Sequence, residues 1–244
     1  LTHKFDQLLV KLQSRLNDTR YDFLLKPTKR TSSESLAGLL RDFVGLGDPD
    51  AKVTVLDLSS IPFDVHPTVT AQIGRLAFEF NYWNPRCREF PLFLVAEEAH
   101  AYIPRAHVGG HQGTRRSFER IAKAGRKYAV GLCVVSQRPN ELSETVLSQC
   151  STFVCLRITN PDDQEYVRAL VPDAARGLLE TLTSLAQGEA IATGEGVPIP
   201  VRFRVTMPDP PPNAQDIEYA HMWARGPQET DVEHIVDCWR RQRR

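Results

Sequence analysis

The ten residues from Pro91 to His100 constrain the fold of this chain more than any other stretch. They contain an unbroken apolar run at 92–96, followed directly by Glu97 and Glu98. A short apolar run without polar alternation is typical of a strand buried on both faces of a parallel sheet. In open α/β sheets, the carboxyl ends of such strands are where ligands bind. The alternative is a core strand that leads into the acidic first turn of a helix.

Strands alternate with helices on both sides of this run. The patterns predict strands at 53–58, 92–96, 129–135 and 152–156, with helices at 67–80, 114–126 and after Asn160. This alternation is typical of right-handed βαβ units, so we predict an α/β fold with a mostly parallel sheet flanked by helices. Strand 53–58 would bring Asp57 to the same edge of the sheet as Glu97. A closing strand pair is predicted at 189–192 and 199–205.

The segments outside this alternation are predicted to be peripheral. Residues 1–50 show two amphipathic helical stripes with a short strand at 21–25 between them. A proline-rich spacer and two amphipathic helices make up residues 207–244. We therefore divide the chain into helical segment 1–50, α/β core 51–206 and C-terminal extension 207–244.

Composition excludes several classes of protein. The chain has 244 residues and a formal net charge of zero, so any surface for nucleic acid must be local. Its longest apolar runs are too short to span a bilayer, and we expect no membrane association. The five cysteines form no CxxC pair, which predicts free thiols in a reducing cytoplasm rather than a zinc site. Because the chain begins with Leu1 and not Met, we expect it to be part of a longer protein.

Acidic and amide side chains follow two of the predicted strands. Glu97 and Glu98 follow strand 92–96, and Gln137 comes shortly after strand 129–135. Parallel strands end at one edge of a sheet, so these side chains should lie close together. The pattern is that of a Walker B strand, in which one acid holds Mg²⁺ and the next orients the water that attacks ATP. We predict that Glu97 holds Mg²⁺ through water, that Glu98 orients the attacking water, and that Gln137 contacts both that water and the γ-phosphate.

A basic helix lies between these two strands. With its lead-in it contains one acid, Glu119, and seven basic residues: Arg105, Arg115, Arg116, Arg120, Lys123, Arg126 and Lys127. The simplest interpretation is a solvated helix face. A second is that Arg126, or else Arg120, reaches the γ-phosphate of a neighbouring subunit as an arginine finger. A third is that the segment neutralises DNA phosphates, for which the candidates are Arg105, Arg115, Arg116 and Lys123.

A phosphate-binding loop of the form GxxxxGK[ST] does not occur in the sequence. Either the loop lies upstream of Leu1 in the intact protein, or the chain does not bind ATP. We therefore expect the chain alone to be inactive. His100, His107 and His111 suggest a metal site, but Gly109 and Gly110 disfavour the helix needed to present the last two together.

Six motifs occur in an order and spacing that belong to one family. They are Asp57-Leu58-Ser59-Ser60, Glu97-Glu98-Ala99-His100, Gly125-Arg126-Lys127-Tyr128, Val135-Ser136-Gln137-Arg138-Pro139, the segment 142–150 and the segment 157–163. Together they resemble the C-terminal half of HerA-type ATPases, the hexameric DNA translocases related to FtsK. The resemblance covers about residues 50–205. One departure is Glu97, since P-loop ATPases commonly have Asp at this position.

The resemblance implies a RecA-like P-loop NTPase core that is incomplete at its N-terminal side, with residues 1–50 as a helical insert. It also implies a homo-hexamer that uses ATP and Mg²⁺, with double-stranded DNA in its pore. The implied partner is a nuclease or another effector, in DNA-end processing or anti-phage defence.

Two alternatives compete with the motor interpretation. The first is a non-catalytic module for ring assembly or effector docking that keeps the fold without turnover. The second is a superfamily-two helicase, suggested by the acid-acid-Ala-His string, although tandem motor halves are not visible in the sequence.

Overall fold

The computed structural model describes residues 2–26, 33–48, 50, 52–59, 61–105, 112–171, 173–211, 217–226 and 229–241. The helices are α1 (Thr2–Asn17), α2 (Asp22–Leu25), α3 (Ser33–Phe43), α4 (His66–Trp83), α5 (Gln112–Ala124), α6 (Glu144–Leu147), α7 (Pro161–Leu170), α8 (Asp173–Leu179), α9 (Tyr219–Ala224) and α10 (Val232–Arg241). The strands are β1 (Leu92–Ala96), β2 (Val130–Val134), β3 (Thr152–Cys155), β4 (Glu189–Gly194) and β5 (Val201–Arg204).

The chain divides into two compact units. The smaller comprises residues 1–36, 59–62 and 207–244, and the larger comprises 37–58 and 63–206. The larger unit contains all five strands. The three-part division made from the sequence stays a prediction.

The regular secondary structure in the described part of the smaller unit is helical. The strand predicted at 21–25 is wrong, because a 3₁₀ turn at Thr19–Tyr21 continues into α2. Asp18 explains the start of this turn: its carboxylate accepts a hydrogen bond from the Arg20 N–H at 3.1 Å. Such a cap satisfies a backbone donor that the first turn of a helix leaves unpaired.

The larger unit is built around the parallel pair β1–β2. The register runs from Leu92 opposite Val130 to Ala96 opposite Val134. Helix α5 lies between the two strands in the sequence, as the crossover of a parallel pair requires. The α/β class predicted from the sequence is confirmed, and parallel pairing among the described residues is confined to these two strands.

Helices α4 and α5 pack closely against each other beside this pair. Gly74 of α4 permits the approach, since a Cβ there would lie 3.2 Å from the Phe118 ring of α5. Phe78 and Ile121 are both buried, and they form a cluster with Val130 of β2. The apolar faces of the two helices thus hold the strand pair.

A buried amide fixes the end of α4 to the starts of both strands. Asn81 has no exposed surface, and its Nδ2 donates to the carbonyl oxygens of Phe90 at 2.9 Å and Ala129 at 3.3 Å. The Ala129 carbonyl also accepts the Leu92 N–H at 2.9 Å. Buried polar groups require such partners, so Asn81 sets where β1 and β2 begin.

The remaining strands form an antiparallel sheet in the order β3–β4–β5. The predicted closing strand pair is confirmed as β4 and β5. The predicted strand at 152–156 forms β3, and it pairs antiparallel with β4. The predicted start of α7 is also confirmed, because the Asn160 side chain accepts from the N–H groups of Asp162 and Asp163.

The strand predicted at 53–58 is wrong. Residues 52–58 have no regular secondary structure, and Val53 and Val55 are 77% and 83% exposed. A strand requires a neighbour for its backbone hydrogen bonds, and no described strand pairs with this segment. Asp57 therefore does not lie at the end of a strand. Within the described part of the chain, no helix is both long and apolar enough to cross a membrane.

Candidate active site

Two turns meet at the carboxyl ends of β1 and β2. The Val135 N–H donates to the Ala96 carbonyl at 2.9 Å, and the Ala99 N–H donates to the Val135 carbonyl at 3.0 Å. Glu98 lies between these contacts in the left-handed region, with φ 48° and ψ 42°. This conformation costs a residue with a side chain on the order of 1 kcal/mol and is found disproportionately at functional sites. It starts the 3₁₀ turn Ala99–Ala101 immediately after the strand.

The carboxylate of Glu98 is contacted on both oxygens. Gln137 donates from Nε2 to Glu98 Oε1 at 2.7 Å. His100 Nδ1 lies 3.3 Å from Glu98 Oε2. The Glu98 side chain is 49% exposed, so the carboxylate remains open to solvent on one side. The structure thus brings together Glu98 and Gln137, which the sequence analysis predicted to act together.

Two further residues complete this network, and the sequence analysis missed their contribution. Ser136 Oγ lies 3.1 Å from His100 Nδ1 and accepts the Arg138 N–H at 3.0 Å. The sequence pattern suggests a role for His100 only as a metal ligand, and it suggests no separate role for Ser136. The available signal was spacing, because each residue follows a parallel strand within the same motif as Glu98 or Gln137.

The side chain of Glu97 takes no part in this network. Its carbonyl accepts the Tyr102 hydroxyl at 2.8 Å, while its exposed carboxylate makes no hydrogen bond or ion pair to the described residues. Burial raises the pKa of Tyr102 to about 12, with the charges of Glu97 and Glu98 adding to the effect. The phenol therefore stays neutral near pH 7 and remains a donor that anchors the turn.

The carboxylate oxygens at this site suit Mg²⁺ better than they suit a transition metal. Mg²⁺ keeps several waters and commonly uses one or two carboxylates together with phosphate oxygens, for which the exposed carboxylate of Glu97 is chemically suited. In the described ranges no group of three His, Cys, Asp or Glu side chains could hold a metal ion. His107 and His111 lie outside the described residues.

The two finger candidates have different surroundings. Arg126 lies in the 3₁₀ turn Gly125–Tyr128 that follows α5, is exposed and has no ion pair among the described residues. Arg120 instead lies over the Phe78 ring at 4.1 Å and within 3.7 Å of the Glu79 carboxylate. Arg126 is therefore the candidate whose guanidinium is not held by any of the residues that the structure describes.

The four candidates for DNA contact also divide into two pairs. Arg105 forms an ion pair with Glu144, and Arg115 lies 3.0 Å from the Glu119 carboxylate with only 20% of its side chain exposed. Arg116 and Lys123 are exposed and have no ion pair within the described part of the chain. Only the second pair presents cations that are not engaged by neighbouring carboxylates.

Comparison with known proteins assigns this chain to a family. The family model described as "Helicase HerA-like C-terminal" matches residues 92–220, which is more than half of the chain. The chain belongs to the HerA-like helicase family. The RecA-like core expected from the sequence agrees with this membership.

Curated HerA relatives match this chain at moderate identity. The DNA double-strand break repair helicase HerA of Pyrococcus furiosus is 40% identical over 116 residues, covering 48% of this chain and 20% of that protein. The protein of the same name from Sulfolobus acidocaldarius is 31% identical over 192 residues, covering 77% of this chain and 38% of that protein. The chain thus spans between a fifth and two fifths of the length of these HerA relatives.

Among solved structures, similarity to this HerA-like chain is looser. The genome packaging NTPase B204 from Sulfolobus turreted icosahedral virus 2, in complex with AMPPCP, matches with a TM-score of 0.49 and 13% identity over 73% of each chain. A likeness of this size adds no argument about the site.

The HerA-like match begins at the first residue of β1. It includes Glu97, Glu98, Gln137 and Arg126, together with the His100–Ser136 contact. The described network therefore lies wholly inside the part of the chain that defines the family.

Proposed function

We propose that this chain is the C-terminal part of the motor subunit of an ATP-driven DNA translocase or helicase that acts on double-stranded DNA. The observation that supports this most is the 2.7 Å hydrogen bond between Gln137 and Glu98 at the ends of a parallel strand pair. A carboxylate that orients water and an amide beside it are the parts that phosphoryl transfer to water requires.

Each residue of the network has a distinct role in this proposal. Glu98 accepts a hydrogen bond from the attacking water and so directs a lone pair of the water oxygen at the γ-phosphate. Gln137 donates one N–H to Glu98 and keeps its second N–H and its carbonyl for the water and the phosphate. Glu97 holds Mg²⁺ through water, and the ion, when bound, neutralises charge on the phosphate oxygens. A carboxylate has about four lone-pair positions, so the contacts seen at Glu98 leave room for a water.

The rest of the ATP site comes from outside the chain. We propose that a phosphate-binding loop lies in the upstream part of the intact protein, which is consistent with the greater length of the HerA relatives. Arg126 acts in trans on the ATP of the adjacent subunit in a homo-hexamer, and Arg120 is the second choice because Phe78 and Glu79 already engage it. The isolated chain is then inactive.

Arg116 and Lys123 are the proposed contacts to DNA phosphates, since their charges are exposed. Arg105 and Arg115 contribute less, because Glu144 and Glu119 lie against them. We further propose a cytoplasmic protein whose partner is a nuclease or another effector, in DNA-end processing or anti-phage defence.

One observation favours the alternative of a non-catalytic assembly or effector-docking module, namely the lack of GxxxxGK[ST] in these 244 residues. The network around Glu98 argues against it, because docking needs no carboxylate held by an amide.

The two functions differ in a direct assay. ATP hydrolysis by the intact protein should be stimulated by double-stranded DNA, and the protein should displace a third strand from a DNA triplex in an ATP-dependent manner. An intact protein that assembles and binds its partner, yet neither hydrolyses ATP nor displaces the strand, would instead support the docking module.

A further inference from the structure

The hydrogen bond from Gln137 does not by itself fix the direction of the Glu98 carboxylate. Gln137 contacts only Oε1, and a carboxylate held at one oxygen can still rotate about its last side-chain bond. The second oxygen, Oε2, lies 3.3 Å from Nδ1 of His100. His100 is only 22% exposed at its side chain, so neighbouring groups restrict the ring more than they restrict Glu98.

The two groups beside His100 Nδ1 indicate whether this ring nitrogen carries a hydrogen. An ionised carboxylate only accepts hydrogen bonds, so a lone pair on Nδ1 would repel Oε2. A proton on Nδ1 turns this contact into an attraction and also lets the nitrogen donate to Ser136 Oγ at 3.1 Å. The geometry therefore favours an Nδ1–H that donates to Ser136 Oγ and attracts the nearby Glu98 Oε2 electrostatically.

The serine connects this proton to the second strand. Ser136 Oγ accepts the Arg138 N–H at 3.0 Å, across the turn that presents Gln137. The turns after β1 and β2 are thus joined by side chains as well as by the backbone bonds of Val135. A change in the position of the Gln137 turn would be transmitted to the Glu98 carboxylate through His100.

We propose that His100 is a positioning residue for hydrolysis: its Nδ1–H, which donates to Ser136 Oγ, attracts the Glu98 carboxylate and keeps it in the direction needed to orient the attacking water. This proposal rests on the proposed function, because it presumes that Glu98 acts on that water. It predicts that the turnover number depends on a donor at the Nδ1 position, while ATP binding does not.

Two substitutions in the intact protein separate this role from simple packing. In His100→Asn, the side-chain amide nitrogen takes the place of Nδ1. In His100→Gln, the amide nitrogen takes the place of Nε2, so the N–H beside Glu98 is lost although the side chain is larger than that of Asn. We expect His100→Asn to keep kcat within about threefold of the unsubstituted protein, and His100→Gln to lose about tenfold, the low end of the loss expected when a polar N–H beside a charged group is removed. KM for ATP, affinity for a fluorescent ATP analogue and Tm should change little in both.

The results that would overturn the proposal are equally specific. Equal kcat in both variants, equal loss in both, or a loss confined to KM would show that the Nδ1 donor does not position Glu98. Unfolding of both variants would assign His100 to the stability of the turn instead. Glu98→Gln serves as the reference for the proposed function: if that variant still hydrolyses ATP at the normal rate, the role of Glu98 fails, whatever the His100 variants do.

Discussion

A negative charge placed beside the Glu98 carboxylate should lower kcat, and the contact between Gln137 and Glu98 allows the size of this effect to be predicted. Gln137→Glu keeps the size of the side chain and replaces the donor that lies 2.7 Å from Glu98 Oε1 with a carboxylate oxygen. A hydrogen bond to a charged group contributes about 1.5–3 kcal/mol, and its loss comes first. Two like charges about 4 Å apart repel by about 1 kcal/mol in water and about 4 kcal/mol at an effective dielectric constant of about 20.

The exposure of Glu98 to solvent determines where the energetic cost of Gln137→Glu lies between these limits. Glu98 is about half exposed, so screening favours the lower ends of both ranges, and the sum is about 2.5 kcal/mol. If the whole of this is felt in the transition state, kcat for ATP falls about 100-fold. Gln137→Ala adds no charge, but it removes the hydrogen bond to Glu98 and the proposed contacts to the water and the γ-phosphate, so it should lose at least about tenfold.

The assay is steady-state ATP hydrolysis by the intact protein at saturating DNA. A matched control is Gln149→Glu, which makes the same charge change at an exposed glutamine whose side chain makes no hydrogen bond to the described residues. The control should keep its activity. If Gln137→Glu stayed within threefold of the unsubstituted protein, or if Gln137→Ala were the more damaged of the two, the electrostatic reasoning would be refuted.

Three further predictions concern the finger, the anchor and the DNA contacts. Arg126→Ala should abolish turnover alone, yet mixed rings with Glu98→Gln subunits should recover part of it, and no recovery at any mixing ratio would count against action in trans. The pKa of Tyr102 is raised to about 12 in the folded protein, so the stabilising effect of the neutral phenol is complete below about pH 10 and is lost as pH rises towards 12. Between pH 8 and pH 11, the free energy of unfolding measured in urea should therefore fall less for Tyr102→Phe than for the unsubstituted protein. The double substitution of Arg116 and Lys123 by Gln should weaken DNA binding uniformly across sequences and reduce the slope of log K against log salt by about 2, and an unchanged slope would exclude both from the DNA surface.

The sequence was sufficient for the parts of the fold that depend on local pattern. The apolar runs at 92–96 and 129–135 predict β1 and β2, and the polar residues after them predict the meeting of Glu98 and Gln137. That inference works because parallel strands end at a common edge, whatever the rest of the sheet does.

The errors arose where structure depends on a partner or on a cap. The alternation at 53–58 favours a strand, but a strand forms only when a neighbour accepts its backbone hydrogen bonds. The apolar residues at 21–25 also suggest a strand, yet the Asp18 carboxylate starts a helical turn just before them. The antiparallel pairing of β3 with β4 depends on a contact that is distant in the sequence.

Parts of the site were hidden for a similar reason. The left-handed backbone of Glu98 has no sequence signal, because that conformation usually selects glycine. The contact of His100 with Ser136 joins two motifs that lie 36 residues apart. Neither residue type suggests such a pairing until the two turns are seen together.

The proposed role of Glu98, on which the other roles depend, is to orient the water that attacks ATP. The most direct test is ATP turnover by the intact protein with Glu98→Gln, at saturating ATP and DNA, measured beside the dissociation constant of a fluorescent ATP analogue. We predict a fall in turnover of about 100- to 10,000-fold, with the dissociation constant unchanged within about threefold. Turnover within about tenfold of the unsubstituted protein would contradict the account.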